Sequence, residues 1–284
     1  MNTLDEKYEA LKRFILEKGK NGVVIAFSGG VDSSTLAAIS HKILGDKAVA
    51  VTAKSPTHTP EELDQAETVA KEIGILLQIV ETNELSDKNF TANPENRCYY
   101  CKKALLKRLL EEADKLGYKT VFEGTNFSDL SEHRPGFKAV KEMPNVYSPL
   151  VESHLAKEEI RTIAGKLGLS TRDKPSNACL ASRIPYHTQI TDEKLSRISK
   201  AEQLIRNMTN VRQLRVRDHD GLARIEVAKE ERTLFCNLED MNEIANSLKQ
   251  LGFKYVTFDL EGYITGSMLQ TLDDTKKSEQ PKDS

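Results

Sequence analysis

Apolar residues in the first half of the chain occur as short runs separated by longer amphipathic stretches. The short runs are VVIAF, KAVAVTA, LLQIVET and KTVFEGTN, and the amphipathic stretches cover residues 32–44, 60–73 and 102–116. The short runs are rich in β-branched residues, whereas the stretches have helical spacing, so strands and helices alternate from Gly22 to about Thr125. This alternation predicts an α/β fold in which helices cover both faces of a parallel sheet.

A different pattern begins near Ile184. Residues 192–207 have the spacing of a helix, and RQLRVRDHDGLARIEVAKEE alternates as two strands that meet at Asp220 and Gly221, a strong hairpin signal. A helix over 239–250 and a strand in YVTFDLEGY follow. These elements predict a second, smaller α+β domain.

The predicted domain boundaries follow from these patterns. We expect the parallel-sheet domain to cover residues 1–183 and the α+β domain to cover 184–270. Residues 271–284 are polar and lack aromatic side chains, which predicts a disordered tail.

Composition narrows the class of protein. The 284 residues carry a formal net charge of -2, which argues against a general attraction to nucleic acid. There is no run of eighteen apolar residues, and the N-terminus is a charged amphipathic helix rather than a secretory signal. We therefore expect a cytoplasmic protein without a membrane partner, whose four cysteines serve as ligands, nucleophiles or core residues rather than disulfides.

The segment SGGVDSS lies between the first predicted strand and its helix. It consists of Ser28, Gly29, Gly30, Val31, Asp32, Ser33 and Ser34. Glycines permit close backbone approach and positive φ, and serine hydroxyls lie beside the unpaired N–H groups of the first helical turn. The segment therefore predicts a cradle for an anion such as a phosphate. Its spacing differs from both the P-loop and the dinucleotide-binding glycine patterns.

Two further loops are expected beside this cradle. TAKSPTHTP and GTNFSDL also follow predicted parallel strands. Ligands of open α/β sheets bind beyond the carboxyl ends of the strands, so the three loops are predicted to line one crevice.

Three cysteines are candidate functional residues. Cys98 and Cys101 occur in RCYYCKK, and Cys179 occurs in NACLASR. A C-x-x-C pair alone is compatible with redox chemistry, half a zinc site or part of a cluster site. Three thiolates without a fourth suit a cluster with one iron free of protein ligands, and three unrelated buried thiols remain the alternative. Cys236, between apolar neighbours, is predicted to be a core residue.

SGGVDSS matches the signature of the PP-loop ATP pyrophosphatases, which cleave ATP between its α and β phosphates and hold the pyrophosphate in this loop. The whole set of motifs resembles the LarE family of ATP-dependent sulfur transferases over about residues 5–270: SGGVDSS, RCYYCKK, GTNFSDLSEHRPG, SPL, KEEIR, DKPSNACLASRIPY and RVRDHDGLARIEV. The resemblance implies that ATP activates carboxylates of a pyridinium dicarboxylate mononucleotide, whose oxygen is then replaced by sulfur. The product contributes to the nickel-pincer nucleotide cofactor of lactate racemase, and the family forms hexamers.

The resemblance also implies roles for the cysteines. Cys179 aligns with the cysteine that gives up its own sulfur in single-cysteine members and becomes dehydroalanine. Members that also carry RCYxC resemble transferases in which three cysteines hold a [4Fe-4S] cluster. Because Cys98, Cys101 and Cys179 are all present, the cluster route is favoured, with sulfide or a sulfur donor protein as the source and sacrifice of Cys179 as the alternative.

In the second domain the resemblance implies that Arg215 and Arg217 lie near a phosphate and that Glu202 and Glu226 are acidic site residues. The alternative is an alternating strand with polar outer faces. GYITGSMLQ departs from the usual family pattern GYRxGSMN at two positions, Ile264 and Leu269.

The expected reaction assigns further residues. ATP phosphates are predicted on the cradle, Mg²⁺ near Asp32, and adenine near Thr52 and Ala53. Gly124 of the GTNFSDL loop is predicted to lie at the nucleotide. A cation must stabilise the departing pyrophosphate, and the two candidates, each with a solvated surface charge as its alternative, are Lys174 and Arg134.

Three other functions remain open at this point. A PP-loop tRNA thiolase would need a basic surface, which a sequence pI of 6.4 disfavours. An ammonia-using ligase of the NAD or GMP synthetase kind would not need the cysteine trio. The third is a nucleotide-binding sensor without catalysis.

Overall fold

The computed structural model describes residues 3–131, 135–174, 178–264 and 267–268. The predicted tail over 271–284 lies outside these ranges. The chain divides into two compact units. The first comprises Met1–Asp87 and Asn96–Asn177, and the second comprises Lys88–Glu95 and Ala178–Ser284.

The first unit is built on five parallel strands in the order β3-β2-β1-β4-β5. The strands are β1 (Val23–Ala26), β2 (Ala48–Lys54), β3 (Leu76–Glu81), β4 (Thr120–Phe122) and β5 (Val146–Tyr147). The helices of this unit are α1 (Leu4–Gly19), α2 (Val31–Leu44), α3 (Pro60–Ile73), α5 (Arg97–Lys115), α6 (Pro135–Glu142), α7 (Pro149–Glu152) and α8 (Lys157–Lys166). The predicted parallel α/β sheet is therefore confirmed.

Strand β1 is buried on both faces. Val23 and Ile25 pack with residues of α1, α2 and α8 in one core, and Val24 packs with residues of α5 in the other. Each such side chain, at 0% exposure, contributes about 2 kcal/mol through burial. Helices on both faces therefore explain why VVIAF is apolar throughout rather than alternating.

The strand order reverses next to β1. β2 pairs with one edge of β1, and β4 pairs with its other edge. The loops that follow β1 and β4 therefore flank the position at which open α/β sheets bind their ligands.

The second unit contains a three-stranded sheet in the order β6-β7-β8. Its elements are α4 (Lys88–Thr91), α9 (Asp192–Thr209), β6 (Leu214–His219), β7 (Leu222–Val227), α10 (Leu238–Gln250) and β8 (Tyr255–Phe258). β6 and β7 are antiparallel, and Asp220 and Gly221 between them have φ of 56° and 96°, as two-residue hairpin turns require. The predicted hairpin is therefore confirmed.

Segment Lys88–Glu95 belongs to the second unit, and Asn93 makes several of the hydrogen bonds that connect it there. This side chain is fully buried, and its amide nitrogen donates to the carbonyl oxygens of Pro185 and Thr188 at 2.7 and 3.0 Å. One amide thus satisfies the backbone of a loop that lies more than ninety positions away in the chain. Among the helices that the structure describes, none is long and apolar enough to cross a membrane.

Candidate functional site

The loop after β1 depends on a glycine at position 29. Gly29 has φ of +65°, and a Cβ placed there would lie 3.0 Å from Cα of Ala66. Both the conformation and the space therefore disfavour a larger residue. Gly30 is the N-cap of α2 and supplies no side-chain hydrogen bond, so no N-cap side chain occupies the first amides of this helix.

Ser33 holds the loop in shape. Its Oγ accepts from the backbone nitrogen of Ser28 at 3.2 Å and donates to the carbonyl of Gly30 at 3.2 Å. The Oγ of the following residue, Ser34, is fully buried and has no hydrogen-bond partner within the described part of the chain. The loop is thus an ordered cradle of backbone N–H groups at a helix N-terminus, an arrangement that binds anions.

Gly124 lies against this cradle. A Cβ at position 124 would lie 3.2 Å from the backbone nitrogen of Ser33. Only a residue without a side chain lets the chain leaving β4 run this close to the amides of α2. The structure therefore brings Gly124 and the SGGVDSS loop together, as the sequence predicts.

Lys174 reaches the same loop. Its Nζ donates to the carbonyl oxygen of Gly29 at 3.2 Å. Burial lowers the pKa of Lys174 below its ordinary value, and the Glu62 carboxylate opposes this shift. A half-buried ammonium beside a helix N-terminus adds positive charge where a pyrophosphate would need it.

Asp32, in the first turn of α2, carries the carboxylate of the loop. Its Oδ2 lies 2.5 Å from Nζ of Lys157, and its Oδ1 accepts from the amide of Asn126 at 3.3 Å. Sequence reasoning did not single out Lys157. The available signal was KEEIR itself, because a lysine at the first position of α8 lies at the start of a helix that packs on α2.

A buried carboxylate lies one residue before Gly124. Glu123 is 1% exposed, and its carboxylate is bonded to Lys102 at 2.7 Å, to both the backbone and the hydroxyl of Thr125, and to the hydroxyl of Ser148. Burial raises the pKa of Glu123, but the Lys102 ammonium and these hydrogen bonds outweigh it, so the pKa lies below its ordinary value. Glu123 is therefore a buried anion with a full set of partners.

The predicted adenine region lies at the end of β2. The hydroxyl of Thr52 donates to the carbonyl oxygen of Phe27, and Thr52 is buried. Ala53 is half-buried and pairs in register with Val80 of β3. The Thr52 hydroxyl is thus committed to the backbone at the exit of β1, and the adenine contact remains a prediction.

The cysteines occupy both units. Cys98 is exposed and Cys101 half-buried at the start of α5, three positions apart and so on one helix face. Cys179 is half-buried, belongs to the second unit and directly precedes a short 3₁₀ helix, Leu180–Arg183. Over the described ranges, no group of three or more His, Cys, Asp or Glu side chains is arranged to hold a metal ion. The three-thiol site remains a prediction.

The prediction that Cys236 is a core residue is wrong, because its side chain is exposed. It follows a 3₁₀ helix, Lys229–Phe235, whose last residue, Phe235, turns into the core at 5% exposure. The apolar neighbour is thus buried in place of the thiol, which contacts the carbonyl of Arg232 at 3.7 Å.

β6 of the second unit buries its charged residues. Arg215 and Arg217 are 4% and 5% exposed, so the alternative of polar outer faces is wrong for this strand. Arg217 is bonded to the Glu226 carboxylate at 2.7 Å. Glu202 is likewise bonded to Arg183, at 2.9 Å. The two predicted acidic residues therefore each hold a buried guanidinium.

Arg215 differs from these pairs. Within the described part of the chain it makes no ion pair; its guanidinium donates to the carbonyl of Leu214 at 2.7 Å and lies 5.4 Å from the ring centre of Tyr263. Burial, with repulsion from Arg183, lowers its pKa to about 10. A desolvated cation of this kind is poised to bind an anion.

Two predicted positions, Arg134 and Leu269, lie outside the described residues. Ile264, the other departure from the family pattern, is 37% exposed.

Comparison with known proteins identifies the family. Residues 3–107 match the family described as NAD synthase. The chain is 35% identical to the pyridinium-3,5-bisthiocarboxylic acid mononucleotide synthase of Lactiplantibacillus plantarum over 251 residues, which are 88% of this chain and 90% of the relative. This chain belongs to the LarE family. A LarE-family chain is an ATP-dependent, adenylating sulfur transferase with a PP-loop domain. The predicted family and the predicted type of enzyme are therefore both confirmed.

Two further relatives match different shares of the chain. An uncharacterised protein of Synechocystis sp. is 44% identical over 269 residues, 95% of this chain and 99% of its own length. The NH(3)-dependent NAD(+) synthetase of Pyrococcus horikoshii is 31% identical over 181 residues, 61% of this chain and 68% of its own length. The LarE-family match thus extends over more of the chain than the match to an ammonia-dependent synthetase.

Proposed function

We propose that this LarE-family enzyme converts the carboxylates of pyridinium-3,5-biscarboxylic acid mononucleotide into thiocarboxylates, in biosynthesis of the nickel-pincer cofactor of lactate racemase. The observation that carries the proposal is the cradle at residues 28–34, where Gly29, the amides of α2 and the Lys174 ammonium meet. Similarity to the Lactiplantibacillus plantarum synthase supports the substrate class.

The first step is adenylation. A carboxylate oxygen of the substrate bonds to the α phosphorus of ATP, the bond from that phosphorus to the bridging oxygen breaks, and pyrophosphate leaves on the cradle. The N–H groups at the start of α2 and the ammonium of Lys174 stabilise the charge that develops on the leaving group.

Asp32 has the chemistry of a Mg²⁺ ligand. Magnesium binds through one or two carboxylates together with substrate phosphates, and Asp32 supplies one carboxylate at the first turn of α2. Bound there, Mg²⁺ would neutralise phosphate charge during cleavage.

The second step is sulfur transfer. Sulfide attacks the carbonyl carbon of the acyl-adenylate, the bond from that carbon to the AMP oxygen breaks, and AMP leaves with the electron pair. Cys98 and Cys101 share one helix face and suit two ligands of a [4Fe-4S] cluster, for which Cys179 is the proposed third ligand. Such a cluster supplies an iron site at which sulfide stays deprotonated.

Arg215 is the residue proposed to bind the substrate phosphate. Among the described residues the buried Arg215 guanidinium forms no ion pair, so it gains from a bound dianion. Arg217 is paired with Glu226, and its proposed role is to hold that carboxylate in place beside the phosphate site. Sulfide or a sulfur donor protein is the proposed source of sulfur, and a hexamer is the proposed assembly.

Anaerobically purified enzyme tests the proposal. With MgATP, sulfide and the biscarboxylate mononucleotide, we expect a thiocarboxylate, AMP and pyrophosphate, together with about four irons per chain and an unchanged protein mass. Loss of one sulfur from the protein mass would show sacrifice of Cys179 instead. Formation of ADP and phosphate, or no sulfur in the product, would contradict the proposed function.

A further inference from the structure

Lys157 forms an ion pair with Asp32 but has no role in the reaction proposed above. Lys157 begins α8, and its backbone nitrogen donates to the hydroxyl of Ser128 at 3.0 Å. Its Nζ lies 2.5 Å from Asp32, and the two side chains are 25% and 22% exposed. Solvent and small ions therefore reach the pair.

This pair competes with the proposed use of Asp32. A carboxylate oxygen held by an ammonium at 2.5 Å is not free to bind a divalent cation, and the two cations repel each other at such distances. If Mg²⁺ binds Oδ2 of Asp32 together with ATP, the ammonium is displaced from that oxygen. The anions newly present at the loop at that moment are the phosphates of the nucleotide.

The neighbourhood makes this exchange inexpensive. The amide of Asn126 contacts the other oxygen of Asp32 at 3.3 Å, so the carboxylate keeps a hydrogen bond when the ammonium moves. A lysine side chain is long and flexible, with three rotatable donors, so its ammonium can change partners while α8 stays in place. The backbone bond to Ser128 holds the start of α8 independently of the side chain.

We propose that Lys157 is a further residue of the phosphate site: its ammonium occupies Asp32 in the nucleotide-free enzyme and passes to the pyrophosphate oxygens when Mg²⁺ takes the carboxylate. This inference rests on the proposed function. It predicts opposite effects of Lys157 on the two ligands, since the residue competes with the metal and assists the phosphate. A lysine that only held Asp32 in place would change both affinities in the same direction.

The chain offers a matched control on the same helix. Lys7 Nζ lies 2.8 Å from Glu159 of α8, and these side chains are 19% and 26% exposed. Lys7→Met therefore removes the same charge from an ion pair of similar exposure, without touching the loop. Lys157→Arg keeps the charge and tests the specific need for an ammonium.

Two binding measurements on full-length protein test the proposal. Without nucleotide, Lys157→Met should bind Mn²⁺ about tenfold more tightly than wild type, as measured by electron paramagnetic resonance. In the presence of Mg²⁺ it should bind inorganic pyrophosphate about tenfold more weakly, as measured by calorimetry. Lys157→Arg should stay within about threefold of wild type for both ligands, and Lys7→Met should match wild type.

The outcomes separate this inference from the function on which it rests. If Lys157→Met changes the affinities for Mn²⁺ and for pyrophosphate in the same direction, or changes neither, the proposed role of Lys157 is overturned. Release of pyrophosphate from ATP and substrate by the same wild-type preparation is measured alongside. If wild-type enzyme releases pyrophosphate but Lys157→Met binds both ligands as wild type does, only this inference is overturned. If wild-type enzyme releases no pyrophosphate, the proposed function is overturned, and the inference that rests on it falls too.

Discussion

The ammonium of Lys102 lies 2.7 Å from the carboxylate of Glu123, which is 1% exposed at the end of β4. Lys102 directly follows Cys101 in α5, and Glu123 directly precedes Gly124, which touches the nucleotide cradle. One ion pair therefore joins the cysteine-bearing helix to the strand end at the phosphate loop.

Replacing Lys102 by Met should destabilise the protein. Removing one partner of a buried pair leaves an uncompensated charge, so we expect a loss of about 3 kcal/mol in the free energy of unfolding, measured with urea at pH 7. Lys103→Met is the control, because Lys103 is exposed and contacts the hydroxyl of Tyr99 at 3.1 Å. Equal midpoints for the two variants would contradict the structural role of the pair.

The same pair predicts a dependence on pH. The pKa of Glu123 in the folded protein lies below its ordinary value of 4.5, so its stabilising contribution is present above that value and is lost as the pH falls through the folded pKa. In Lys102→Met burial acts without the ammonium and favours the protonated form. The difference between variant and wild type should therefore narrow from pH 7 to about pH 4. A constant difference would contradict this account of Glu123.

Gly29→Ala should abolish nucleotide binding. The new Cβ would lie 3.0 Å from Cα of Ala66, so the loop backbone must shift away from the position in which its amides converge. Gly74→Ala is the control, since Gly74 also has positive φ but has nothing within 4 Å of the added Cβ. Both variants should lose about 1 kcal/mol of stability from the left-handed conformation, and only Gly29→Ala should lose ATP affinity in calorimetry. Wild-type affinity in Gly29→Ala would show that the cradle is not the ATP site.

Lys174→Met should lower kcat for pyrophosphate release by about a hundredfold, because a donor to the leaving group is removed. The ammonium form is the active one, and burial lowers its pKa below 10.5, so the wild-type rate should fall at a pH lower than that value. Lys174→Arg stays charged throughout, and its pH–rate profile should lack this alkaline limb. An identical limb in both proteins would assign the titration to another group.

Arg215 and Arg217 should respond to substitution with opposite signs. Arg215→Met removes a desolvated cation that forms no ion pair within the described residues, so it should leave the thermal midpoint unchanged or raise it, while weakening substrate binding. Arg217→Met leaves Glu226 buried with Arg224 and the Ser267 hydroxyl as its remaining partners among the described residues, and it should cost about 3 kcal/mol. A strongly destabilised Arg215→Met with full substrate affinity would show that Arg215 is structural.

The sequence predicts the parts of this enzyme that depend on local patterns. The strand over Val23–Ala26, the SGGVDSS turn and the hairpin at Asp220 and Gly221 each follow from side-chain periodicity or turn chemistry within a few residues. Long-range pairs carry no such signal. The Lys157–Asp32 contact joins residues 125 positions apart, and the Asn93 bonds that tie Lys88–Glu95 to the second unit span more than ninety.

The alternation of polar and apolar residues also does not predict that the charged side chains of β6 are buried. RVRDH reads as an alternating strand, but its arginines are buried: Glu226 of β7 binds Arg217, and Glu202 of α9 accepts the backbone N–H of Val216. The partner carboxylates come from other elements, so period-two alternation alone does not predict which face of the strand is exposed to solvent.

The most direct test of the central claim follows oxygen from the substrate carboxylate. Wild-type enzyme is incubated with MgATP, sulfide and the biscarboxylate mononucleotide labelled with oxygen-18 in its carboxylates, and AMP is analysed by mass spectrometry. Adenylation at the SGGVDSS cradle predicts that each sulfur incorporated places one oxygen-18 in the phosphate of AMP, with equimolar pyrophosphate. Unlabelled AMP, or ADP in its place, would contradict the claim that this loop serves cleavage of ATP by a carboxylate.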